Sequence, residues 1–91
     1  MLEQEQFVYL IRLVKEDYTA SHTRAFIDKA VAEEYFLSDV KFFRKKGWSV
    51  SDEEYCGGGN IIRRAEMVKK NEDGKYERMS LHLEAHEIIK K

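Results

Sequence analysis

Residues 61–70 and 75–85 alternate apolar and polar side chains with a period of two, and they flank the segment NEDGK. That pattern marks two half-buried strands joined by a tight turn, and it constrains the fold more than any other feature of the chain. The register follows from which residues each loop length would pair. A two-residue Asp73-Gly74 loop sets Glu66 against Leu81 and Arg64 against Leu83, mixing charge with core. A three-residue loop, Glu72-Asp73-Gly74 with Gly74 left-handed, pairs Met67 with Met79, Ala65 with Leu81, Ile61 with Ala85 and Lys69 with Glu77. One face then becomes apolar, while the other carries Arg64, Glu66, Arg78, His82 and Glu84. A slip of one residue would expose the apolar face, so the second register is expected. Arg63 falls opposite Leu83 on the apolar side and is expected to reach out at the sheet margin, because an unpaired buried charge is costly.

Upstream of the hairpin the apolar spacing reads as helical. Phe7, Leu10, Ile11, Val14 and Tyr18 recur at helical intervals, predicting a helix over about residues 3–17 with Glu3 and Glu5 near its N-terminus. Thr19 or Ser21 then caps a second helix carrying Phe26, Ile27, Ala30, Val31 and Tyr35 and ending near Phe36. Ser38 caps a third, which carries Val40, Phe42 and Phe43 and closes with Arg44, Lys45 and Lys46 before Gly47. Trp48 and Val50 alternate with serines as a short extended segment, and Ser51 to Glu54 has the S-x-x-E form of a capping box that starts a helical turn. The terminal segment EAHEIIKK either extends the last strand or turns into a short helix. The expectation is an α+β fold in which three N-terminal helices pack on a C-terminal antiparallel β-hairpin or three-stranded sheet. Residues 1–91 make a single small domain.

Composition narrows the function. The chain is 43% hydrophobic and 36% charged, enough apolar material for a core beneath a densely charged surface. It has no apolar run near the ~20 residues of a membrane span. Glu3 and Glu5 stand where a signal peptide needs positive charge, and the single cysteine, Cys56, has no internal partner. A cytoplasmic location is expected.

The recognised catalytic and ligand-binding motifs do not fit. Gly57-Gly58-Gly59 lacks the lysine and Ser/Thr of a phosphate loop, and a strand pattern rather than a helix follows it. A flexible joint between elements is the reading it supports. His82 and His86 are four apart, which on a strand separates them by ~13 Å, too far to share a metal; they are read as solvated surface residues. Cys56 is read as an inert loop residue. The expectation is a protein without catalytic activity, cofactor or metal.

Two binding readings remain. The chain's size, its lack of proline and its dense charge resemble small accessory proteins of phages and mobile elements, many of which inhibit or adapt a host machine. On that reading it is a regulatory or accessory protein that binds a protein partner, as an adaptor or inhibitor, with Trp48, Arg64, Tyr76 and Arg78 as contact residues. A hairpin edge would also allow a homodimer. The alternative uses the charge asymmetry: residues 1–39 hold four Lys/Arg against eight Asp/Glu, and residues 40–91 hold twelve against nine. A winged-helix-like protein would meet DNA or RNA with Lys41, Arg44 and Lys45 of the third helix and with Lys69, Lys70 and Lys75 at the hairpin tip.

Overall fold

The computed structural model describes residues 7–15, 20–54 and 59–88. Five strands and one helix follow in the order β1 (Phe7–Lys15), β2 (Ala20–Phe26), α1 (Lys29–Lys45), β3 (Ser49–Glu54), β4 (Ile61–Lys70) and β5 (Tyr76–Glu87). The strands form one antiparallel sheet in the order β2-β1-β5-β4-β3, so β1 joins the chain's two halves by pairing with β5.

The expectation of three helices on a hairpin is therefore overturned. The first expected helix is β1. Its sequence, FVYLIRLVK, is an almost unbroken apolar and β-branched run, and such a run satisfies helical spacing as well as the needs of a strand. Its position in the sheet, with β2 on one side and β5 on the other, explains why it lacks clean alternation. The second expected helix begins as β2, which lies against β1 from Tyr9↔Phe26 to Val14↔Ala20 with an irregularity at Leu13/Val14. Its second half joins the third to make the single continuous α1. Asp28 is the N-cap, its side chain accepting from the Val31 amide at 3.2 Å, so Ser38 lies inside the helix rather than at its start. The expected C-terminus agrees: Arg44 and Lys45 occupy the last turn, and Gly47 adopts a φ of 95°. Ser51 to Glu54 belong to strand β3, not to a helical turn. The terminal segment extends β5 as far as Glu87.

The hairpin is as expected over most of its length. Met67 pairs with Met79, Ala65 with Leu81, Arg63 with Leu83 and Lys69 with Glu77. The Asn71 amide donates to the Lys75 carbonyl at 2.7 Å, which leaves Glu72-Asp73-Gly74 as the loop, with Gly74 at φ 81°. One pairing differs: Ile61 meets Glu84 instead of Ala85, because an extra residue bulges between Ile61 and Arg63.

Helix α1 covers one face of the sheet. Ala32, Phe36 and Val40, spaced by four, are buried against Ile11 of β1, Ala65 and Met67 of β4, and Leu81 and Leu83 of β5. Arg63 lies on this face with its guanidinium 5.6 Å from the centre of the Phe36 ring. Among the described residues, no helix is long and apolar enough to cross a membrane.

Candidate protein-binding face

The face of the sheet opposite α1 carries no second layer among the described residues. Strand alternation puts Arg12, His82 and Arg64 on it as one row across β1, β5 and β4, since Arg12 and Arg64 both pair with His82. The next rows hold Val14, Ser80 and Glu66, then Val68 with Arg78, then Lys70 with Tyr76. A depression of about 240 Å³ opens here, lined among others by Val14, Lys15, Arg64, Val68, Arg78 and His82. Arg64 pairs with Glu66 at 2.7 Å, whereas Lys15 and Arg78 have no carboxylate at ion-pair distance among the described residues.

Toward the other end of the same face lies a chain of polar contacts centred on Glu84, which is only 8% exposed. Asn60 Nδ2 donates to His86 Nδ1 at 3.1 Å, which leaves the proton of His86 on Nε2, where it donates to Glu84 Oε1 at 2.8 Å. Arg12 Nε stands 3.3 Å from Glu84 Oε2. With both ring nitrogens engaged, His86 holds Glu84 in place and has no lone pair left for base chemistry.

His82 is half-buried beside this cluster. Burial lowers its pKa from the ordinary histidine value, and Arg64 and Arg12 lower it further against the opposing pull of Glu84 and Glu66. Neither His82 nor His86 is the solvated histidine expected of them. Two further solvent-shielded nitrogens on this face, Arg64 Nε and His82 Nε2, have no hydrogen-bond partner among the described residues.

Three of the four expected protein-contact residues, Arg64, Tyr76 and Arg78, share this open face. Trp48 does not. It is half-buried on the helix side, edge-on to Phe43 at 6.2 Å with Lys69 5.9 Å above its ring, so it serves packing. The expected nucleic-acid residues are divided. Lys41, Arg44 and Lys45 belong to the C-terminal half of α1, where Arg44 donates to the Val50 carbonyl at 3.1 Å. Lys69 stands on the helix side, Lys70 on the open face, and Lys75 beside the loop. With one helix in place of the three expected, the winged-helix arrangement that would unite them is not formed among the described residues. Cys56 and most of the glycine run, residues 55–58, lie outside the described residues.

Sequence reading missed the partnership of Arg12 with Glu84. Its signal was Arg12 itself, a lone cation in an apolar run. A charge placed so in a strand has to find a carboxylate or the solvent. No protein-family model, curated protein or solved structure matches the chain.

Proposed function

We propose that this is a non-catalytic binding protein of adaptor or inhibitor type, and that it takes an acidic segment of a protein partner on its open sheet face. The observation that carries this reading is the depression bounded by Lys15, Arg64 and Arg78 beside the apolar Val14 and Val68. Cations beside half-buried valines suit a segment that mixes carboxylates with aliphatic side chains. Against a single-stranded nucleic acid stands the shortage of stacking platforms: among the described residues, alternation puts only one aromatic, Tyr76, on this face.

The test is fluorescence anisotropy with a labelled peptide of alternating glutamates and leucines, set beside a labelled single-stranded oligonucleotide, at ~50 mM and ~200 mM salt. The peptide is expected to bind the wild type and to lose binding in the Arg64→Glu/Arg78→Glu double variant, with the circular dichroism spectrum unchanged. Equal peptide binding by the variant overturns the assignment to this face. Preferential binding of the oligonucleotide, with a steep salt dependence, replaces the protein partner with a nucleic acid.

A further inference from the structure

The hairpin expected to supply a dimer edge has none to offer, because β1 pairs with the outer side of β5 and β3 with the outer side of β4. The sheet's edges are β2 and β3. They differ in chemistry. β3 has the sequence SVSDEE, three acids in a row, and two such edges brought together repel. β2, ASHTRAF, has no acid, lysine or proline to block a further strand. Its one full charge, Arg24, is already met by Asp39 of α1.

Above the β2 edge, α1 presents a second apolar stripe that its own sheet leaves uncovered. Ile27, just before the helix, is 85% exposed, and Val31, Tyr35 and Phe42 are 39%, 49% and 54% exposed. At 100° per residue the three helical positions fall within an arc of about 40°. The Tyr35 ring lies 5.1 Å from Phe26 at the end of β2, and Phe42 lines a gap of about 200 Å³ with His22 and Arg24 of β2. The stripe is therefore on the β2 side. Its far rim is Glu34 in the N-terminal half of the helix and Lys41 and Lys45 in the C-terminal half.

We infer that a second copy of this chain docks on this surface, with β2 pairing antiparallel to its counterpart and the two α1 stripes packing together. One two-fold axis perpendicular to the sheet generates both contacts, because it reverses strand and helix together. Reversing α1 about its middle, Leu37, brings Glu34 of one protomer opposite position 40 of the other, beside Lys41, so the rim is self-complementary in charge there. That match selects a copy of the same chain over an unrelated strand. Five strands from each copy then make one continuous sheet, both helices lie on the same side, and the open face remains free.

Sedimentation equilibrium of the full chain across the micromolar range tests this. The expected mass is twice 10.8 kDa. Val31→Lys/Phe42→Lys, both at exposed positions, is expected to weaken self-association by more than about tenfold while the circular dichroism spectrum is kept. Glu34→Lys alone is expected to weaken the dimer, and Glu34→Lys with Lys41→Glu to restore it. A wild-type monomer at every concentration overturns the inference, as does a dimer that survives the Val31/Phe42 variant. Failure of the charge swap to restore the dimer removes the antiparallel helix contact.

Discussion

Arg24 of β2 and Asp39 of α1 form an ion pair that ties the outer edge of the sheet to the helix above it. Both side chains are about two-thirds or more buried, at 33% and 24% exposed. Burial pushes the Asp39 carboxyl above its ordinary value of 3.8 more strongly than Arg24 draws it down. With the folded pKa raised, the stabilising contribution is full below 3.8 and is lost as pH rises through the folded value. At neutral pH the ionised pair therefore brings position more than stability.

The two residues are expected to behave unequally alone and together. Asp39→Leu alone leaves Arg24 half-buried without its carboxylate and is expected to cost about 1 kcal/mol, between the values for exposed and buried pairs. Arg24→Met with Asp39→Leu replaces both charges by apolar groups and is expected to recover most of that loss. Urea denaturation of the wild type, of Asp39→Leu and Arg24→Met alone, and of the double variant measures the difference. A double variant that loses as much as the two singles added together would show that the pair does not act as a unit.

Phe36 and Phe42 lie on one helix six residues apart and should differ sharply. Phe36 is 0% exposed, under the helix against β1, β4 and β5, whereas Phe42 is 54% exposed. Phe36→Ala removes buried area and leaves a cavity, at an expected cost of about 3–5 kcal/mol. A loss of that size is a large part of the stability of so small a domain. Phe42→Ala is expected to cost under about 1 kcal/mol in the monomer. Thermal melts at low protein concentration check both, and similar melting temperatures for the two variants would contradict the placement of the core.

How much of this was legible in the sequence depended on whether a segment's partner was close by in the chain. The β4–β5 register was readable because Met67, Ala65, Leu81 and Met79 choose one alignment, and the Gly74 loop agrees with it. The end of α1 was readable from Arg44, Lys45 and Gly47, which act locally. β1 was not, because Phe7, Leu10, Ile11 and Val14 satisfy helical spacing while Tyr9, Ile11 and Leu13 satisfy the strand, and only pairing with β5 decides between them. β2 carries little strand propensity of its own, with Ala20, Ser21 and His22 at its start, and it is held by β1. The open face inherits that difficulty. Arg64, Tyr76 and Arg78 were identified from the hairpin alone, but the row Arg12, His82, Arg64 exists only once β1 is a strand.

The hairpin loop yields a third prediction. Asn71 Oδ1 accepts from the Asp73 amide at 3.1 Å and the Lys75 amide at 3.0 Å, so its side chain bonds across the loop in which Gly74 takes its positive φ. Added bulk is tolerated there, because a Cβ on Gly74 would meet only Lys70 Cε at 3.9 Å. The cost of Gly74→Ala is therefore conformational, about 1 kcal/mol, and Gly74→Asn should lose less because asparagine tolerates the left-handed region. Asn71→Ala is expected to cost about 1 kcal/mol through the two amides it releases. Chemical denaturation ranks the variants, and equal losses for Gly74→Ala and Gly74→Asn would show that crowding rather than backbone angle sets the cost.

His82 makes the stability of the sheet depend on pH. It stands between Arg64 on β4 and Arg12 on β1, with Glu84 and Glu66 as the nearby carboxylates, and its folded pKa lies below the ordinary 6.5. A lowered folded value means that the unfolded chain takes up a proton first as pH falls. The stabilisation from neutral His82 is therefore full above 6.5 and is lost as pH falls through the folded value. His82→Gln removes that dependence, so melting temperatures taken from about pH 8 down to about pH 5 should fall more for the wild type than for the variant. His22 and His86 are present in both proteins, so what they add is common to both and largely drops out of the comparison. An NMR titration reads the same quantity directly, and a His82 midpoint at or above 6.5 would show that the two arginines and the burial do not govern this imidazole.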